Sequence, residues 1–366
     1  MTFSPRRVVA LALGGAALLA APAAGVVGGT PAAPTAYPWH AELPGCGGAL
    51  IAPDRVATGA HCVAGLPLRD LAHVRIRHGE IRAASGISVH PAYLRRALDG
   101  TANRDAPADD VAIVVLSSPV TGVRPLTLPA KAPGHGAPVL LLGSGQTSVP
   151  SKPVHSAAAG SALRKAILTV ISDGACADFY RRRGGKAYGH ALRPATMLCA
   201  TDPDGRAPFR SACTGDSGGP LVRGTTLAGI VSWGLRCGGD RDPTVFTDPT
   251  AYRAFLTAPA PVLAPASSGA AAVLTGEARV GATLTCAAPP WVREPAKVTF
   301  SFDSYRFGKG RITRQQGASA AYVVRTADAG RLVSCSATGS NGGGFETTAA
   351  SAALRIPASA QRPTSP

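Results

Sequence analysis

Between Val26 and about Thr257 the apolar residues come in short runs, "GALIA", "VAIVVL", "PVLLLG" and "LAGIVSW", each cut off by Gly, Pro or Asp. Short runs with turn residues between them read as strands joined by tight connections, so the region is expected to be an all-β sandwich or barrel. Its length of about 230 residues suits one large barrel or two small ones. Only "DPTAYRAFLT", 248–257, carries helical spacing, and the Arg181, Arg182, Arg183 run sits among glycines and reads as an exposed loop.

The flanks have a different character. Residues 1–25 join Arg6 and Arg7 to an apolar run and then small residues, the layout of a secretory signal peptide. The run is shorter than the roughly 20 apolar residues that a membrane-spanning helix needs. Residues 258–272, "APAPVLAPASSGAAA", have the Pro, Ala and Ser content of an extended linker. Residues 273–357 return to alternating strands, and Cys286 and Cys335 are placed to bridge two sheets, the plan of a small β-sandwich. This segment resembles the immunoglobulin-like modules appended to many secreted bacterial proteins, in "VGATLTC", Trp291 and "ADAGRLVSC" followed by "NGG". Phe300 and Phe302 stand where the antibody pattern has a core tryptophan, and Trp291 reads as a packing residue. Residues 358–366 read as a disordered tail.

Eight cysteines in an exported chain suggest four disulfides, and none has the C-x-x-C spacing of a zinc or redox site. The formal charge of +16 is spread along the chain and reads as a solvated basic surface, with no nucleic acid as partner.

The stretch "SACTGDSGGPLV", 211–222, surrounds Ser217 with glycines, which permit close backbone approach. A serine hydroxyl reacts at neutral pH only if a histidine takes its proton and a carboxylate orients that histidine. "VATGAHC" offers His61 beside Cys62, with Cys46 in "CGGALI" as the bridging partner, and "DDVAIVVL" offers Asp110 at the mouth of a buried strand.

With "GAHC", "DVAIVVL" and "GDSGGP" in this order, residues 26–257 resemble the chymotrypsin and trypsin family of serine endopeptidases. The resemblance implies two antiparallel β-barrels of the chymotrypsin type with a C-terminal helix, followed here by the small immunoglobulin-like β-sandwich. It implies a Ser217, His61, Asp110 triad and an oxyanion hole from the Gly215 and Ser217 backbone. It also implies an ion pair between Asp216 and the α-ammonium of Val26, and the pairs Cys176 with Cys199 and Cys213 with Cys237. Ala23 and Gly25 are small enough for signal peptidase, so removal of the signal would itself release Val26.

By the same analogy Ser232, Trp233 and Gly234 pair with substrate as an added strand, and Ser211 lies at the floor of the specificity pocket, where an enzyme cutting after Lys or Arg needs an aspartate. Thr244, in place of a glycine, makes the pocket shallower. Cleavage after small to medium apolar residues is expected, with aromatic preference as the runner-up; Asp240 and Asp242 lie close enough to the pocket wall to bear on this. "GSG" at 143–145 departs from the family's glycine, tryptophan, glycine. No acidic cluster surrounds Glu80, and neither metal nor cofactor is expected. The resulting picture is a secreted, extracellular monomer acting on proteins or peptides, clear of membranes once the signal is gone. The C-terminal module is either a spacer or a binder of cell wall, carbohydrate or protein. The competing reading is a protease-like adhesion or binding protein, which would keep the fold and lose a triad residue.

Overall fold

The computed structural model describes residues 25–76, 79–103, 105–147, 162–306 and 309–358; the expected signal peptide, 1–25, lies outside them but for Gly25, and the expected tail, 358–366, but for Ala358. The short apolar runs become strands of two seven-stranded antiparallel sheets. In spatial order the first contains Ile81–Arg82, Val74–Ile76, His40–Leu43, Cys46–Ala52, Arg55–Thr58, Ala112–Leu116 and Ala84–Val89. The second contains Thr30–Pro31, Arg164–Ile171, Met197–Thr201, Thr244–Thr247, Thr226–Gly234, Pro220–Arg223 and Pro138–Gly143. The last of these pairs back onto Arg164–Ile171, Val139 against Leu168, which closes the barrel. Closure removes the sheet edge, whose open N–H and C=O groups would otherwise invite pairing with other chains.

The two barrels share a core. Leu50, Val56, Ile76, Ile113 and Val114 of the first are fully buried in one cluster with Leu142, Val222, Leu227 and Ile230 of the second. Burying one such side chain stabilises by about 2 kcal/mol, and the shared cluster fixes how the barrels face each other. The site forms where they meet.

Helices depart from the sequence reading. The expected helix at 248–257 shrinks to Arg253–Leu256, preceded by turns. Pro91–Asp99 is a helix, and so is Asp173–Arg183, whose last turn is the arginine run read as a loop. The local chemistry explains the second: the Ser172 hydroxyl accepts from Ala175 N at its start, Asp173 sits in the first turn, and three cations face the negative end of the helix dipole.

Beyond the barrels, a three-stranded sheet (Val273–Gly276, Thr283–Ala287, Ala321–Val323) faces a five-stranded one (Ile312–Gly317, Lys297–Tyr305, Leu332–Asn341, Gly344–Thr347, Leu354–Arg355). The Cys286–Cys335 disulfide joins the two sheets. Between them Phe302 is fully buried and stacks on Tyr322, with ring centroids 5.3 Å apart. Trp291 packs: a side chain on Gly339 would lie 2.5 Å from its ring.

The segment read as a linker is extended but docked. Arg55 donates to the carbonyls of Ala258 (2.5 Å) and Pro259 (2.7 Å), Ala264 N donates to Ile87 O (2.7 Å), and Ala264 and Ala266 are buried. Ala266–Ser267 forms a short strand against Trp291–Arg293. The C-terminal module thus lies against the first barrel.

Candidate active site

His61 belongs to a four-residue helix, Ala60–Val63, that begins where the strand Arg55–Thr58 leaves the first barrel. Cys62 is tied to Cys46 on the neighbouring strand. Asp110 precedes the buried strand Ala112–Leu116, and its side chain is itself fully buried. Both of its oxygens are committed to His61. Oδ2 lies 2.7 Å from Nδ1, and Oδ1 accepts from the His61 backbone N–H at 2.9 Å. Oδ2 also accepts from the Ser232 hydroxyl at 2.5 Å. From the second barrel, the Thr247 hydroxyl donates to the Asp110 carbonyl at 2.8 Å.

The pair has predictable electrostatics. Burial works against the charged form of both groups. It is outweighed on His61 by the charge and hydrogen bond of Asp110, which raise the imidazole above 6.5. On Asp110 it is outweighed by the charge of His61 and by hydrogen bonds from His61 and Ser232, which hold the carboxyl below its ordinary 3.8. A carboxylate accepting three hydrogen bonds in a buried position stays ionised and fixes the ring it holds.

Ser217 stands in a turn whose backbone is anchored to both barrels. Its carbonyl accepts from Gly47 N of the first barrel at 2.7 Å, and the next residue, Gly218, donates to Val231 O of the second at 2.7 Å. Gly218 has φ +72°, and a side chain there would lie 2.2 Å from the Thr58 hydroxyl, so only glycine fits. Gly215 has φ +93°. His61, Gly215, Ser217, Ser232, Trp233, Gly234 and Thr244 line one cleft of about 530 Å³, along with the bridged Cys46, Cys62, Cys213 and Cys237. The fourth pair is Cys176 with Cys199.

The other sequence-selected residues take different positions. Ser211 does not line it; its hydroxyl accepts from Gly238 N at 2.7 Å, and its backbone exchanges two hydrogen bonds with Val27. Thr244 accepts from Ala212 N at 3.4 Å and contributes to the wall. Asp242, buried, is bound bidentately by Arg236 at 2.7 and 3.1 Å, so its charge is matched locally. Asp240 lies with Arg182, Arg183 and Arg241 around a separate hollow.

Asp216 is fully buried and forms no ion pair among the described residues. Burial pushes its carboxyl up to about 7, although Cys213 N and Gly145 N each donate to it at 2.9 Å. Gly143 and Gly145 make room for it: a side chain on either would come within 2.8 Å of Asp216 Oδ1. The "GSG" stretch, which the sequence marks only as a departure, is therefore the wall of the Asp216 chamber. Val26 is fully buried, and the Gly25 N–H bonds to the Gly145 carbonyl. Two contributions went unread in the sequence: Ser232 as a donor to Asp110, and Gly143 and Gly145 as space for Asp216.

Comparison with known proteins bears on the barrel region as a whole. A family model described as "Trypsin" matches residues 26–256. Trypsin epsilon of Drosophila erecta is 35% identical over 232 residues, covering 61% of this chain and 82% of that protein. Trypsin alpha of the same species is 30% identical over 244 residues, 63% and 86% of the two chains. Hypodermin-B of Hypoderma lineatum is 31% identical over 252 residues, 63% and 86%. With the paired barrels and the matched region in agreement, the chain belongs to the trypsin family of serine endopeptidases.

Proposed function

We propose that this endopeptidase is secreted and cuts peptide bonds through Ser217, His61 and Asp110, after small to medium apolar residues. The observation that carries the triad is the buried Asp110 carboxylate with both oxygens on His61, in a residue pair that opens onto the cleft holding Ser217. His61 Nε2 takes the hydroxyl proton as Ser217 Oγ bonds to the substrate carbonyl carbon. The tetrahedral oxyanion is met by the N–H groups of Gly215 and Ser217. The C–N bond then breaks, the proton passes from His61 to the leaving amine, and water releases the acyl group by the same steps.

Because imidazole must be neutral to act, cleavage should rise with pH through an inflection above 6.5, the direction in which Asp110 moves His61. Thr244 on the cleft wall and Asp242 neutralised by Arg236 support an uncharged pocket. Activation is assigned to a new α-ammonium at Val26 that pairs with Asp216. Gly25 already bonds to the loop on which Asp216 is fastened, and among the described residues no cation pairs with the Asp216 carboxylate. Release of Val26 by removal of residues 1–25 fits a secreted protein.

The test is labelling with a serine-directed phosphonate, followed by cleavage of a peptide library. Label on Ser217, lost in Ser217→Ala and His61→Ala, with cuts after Ala, Val, Leu or Met, is expected. Dominant cleavage after Arg would overturn the pocket reading, and unchanged proteolysis in Ser217→Ala would overturn the triad. Secreted active protein beginning at any residue other than Val26 would refute the activation route.

A further inference from the structure

We propose that the tip of the C-terminal module, residues 341–347, positions the His61–Asp110 pair, so that the module is a working part of the catalytic unit. The inference rests on the triad reading above. It starts from the weakness of the element that carries His61: a four-residue helix has too few hydrogen bonds to hold itself and depends on what grips its ends. Its start continues from a barrel strand, and its middle is tied by Cys46–Cys62.

The exit is gripped by the C-terminal module. Gly65, four residues after His61, takes φ +83°, and a side chain there would lie 2.6 Å from the Phe345 ring. Gly65 forms a parallel bridge with Glu346, and Thr347 N donates to the Gly65 carbonyl at 3.4 Å.

The same hairpin touches the segment beside Asp110. Val89 N donates to Gly343 O at 2.7 Å. Val89 stands opposite Ala112, two residues after Asp110, and His90 N donates to the carbonyl of Val111 at 3.1 Å. One hairpin tip therefore holds both the chain leaving His61 and the strand that pairs with the segment following Asp110.

The tip is anchored from behind. Glu346, 1% exposed, accepts from Ser267 N at 3.2 Å and from the Ser267 hydroxyl. Asn341 donates to Leu263 O at 2.9 Å, and Arg293 reaches from Ala264 O (2.8 Å) to Ser85 O (2.9 Å) in the first barrel. Glycine at 343 is required by contact: a side chain there would lie 2.2 Å from the Val262 carbonyl. Because a displacement of about 1 Å in a catalytic group can cost on the order of a hundredfold in rate, contacts of this kind bear on turnover as well as on folding.

The experiment compares full-length wild type, Phe345→Ala and Phe345→Leu on a neutral peptide. The readouts are kcat, KM, the acid limb of kcat/KM against pH, and thermal unfolding. Phe345→Ala is expected to lower kcat about tenfold with KM within about twofold. It should also move the acid limb to lower pH, since a looser Asp110 contact no longer holds the imidazole up. Phe345→Leu should restore most of both. If Phe345→Ala does not accumulate as folded protein, Asn341→Ala loosens the same tip with Phe345 in place, and a smaller fall in kcat with the same direction of pH shift is expected. Wild-type kcat and acid limb in the folded variant overturn the inference, even if the melting temperature falls. Phosphonate labelling separates the two readings. Labelled wild type with unaltered variant kinetics sinks the positioning role alone, whereas an unlabelled wild type sinks the triad and this inference with it.

Discussion

The second barrel and the first hold their parts of the site in different ways. Ser217 sits in a turn pinned by backbone hydrogen bonds on both sides, next to Cys213–Cys237, with Cys176–Cys199 in the same barrel. The first barrel holds His61 with one disulfide, a buried carboxylate and the C-terminal module leaning on Gly65. The proposed nucleophile is tied by backbone hydrogen bonds to both barrels, whereas the proposed base relies, besides its disulfide, on a docked module. A disulfide restrains its neighbourhood even in partly opened states, whereas a docked surface holds only while docked. The base should therefore be the half that loosens first.

The largest effect tests whether both halves act as one unit. Ser217→Ala and His61→Ala should each reduce kcat by about a millionfold, and the double variant by little more. Strict multiplication of the two losses would break the picture of a coupled pair. Asp110→Asn should cost about ten-thousandfold in kcat, the scale of loss this change brings in the family, with KM little changed; steady-state kinetics on one peptide decides it.

Smaller changes separate the barrels. Ser232→Ala removes a hydrogen bond that crosses from the second barrel to Asp110. A bond to a charged group is worth about 2 kcal/mol, so kcat should fall by roughly thirtyfold, while phosphonate labelling persists at a reduced rate. Asp216 gives a test by pH in the uncut chain. Its carboxyl ionises near 3.8 when unfolded and near 7 when folded, so its contribution to folding stability is fully present below about pH 4 and is lost as pH rises through about 7. The loss amounts to about 4 kcal/mol. Thermal unfolding against pH should show that fall, Asp216→Asn should flatten it, and a chain starting at Val26 should lack it. Replacing both Cys46 and Cys62 by Ser should lower stability by about 3 kcal/mol, comparable to the same change at 213 and 237. The first pair should cost more activity, because it borders the less firmly held half.

The strands and the residues proposed as the triad were legible because they carry local signatures: apolar runs between turn residues, and His61, Asp110 and Ser217 beside glycine, cysteine or a buried strand. The helix Asp173–Arg183 was not, since its apolar residues form no clear stripe and its support comes from Ser172 and the terminal charges. The Asp216 chamber was hidden because glycine announces space without saying what fills it; Gly143 and Asp216 meet only once the strand Pro138–Gly143 pairs with Pro220–Arg223. The docked course of 258–267 was hidden for a related reason. Its partners grip carbonyls of Ala258, Pro259, Leu263 and Ala264, which every amino acid supplies. The arginines and asparagine that do the gripping lie elsewhere in the sequence, and composition alone fits a free tether equally well.

That grip on the main chain bears on how the molecule survives itself. "APAPVLAPA" is rich in the small apolar residues the cleft is proposed to cut after, yet an endopeptidase takes its victim as a bare extended strand. Peptide groups already engaged by Arg55, Arg293 and Asn341 cannot be handed to a second copy, so the join between the two halves is shielded from self-digestion for as long as it stays seated.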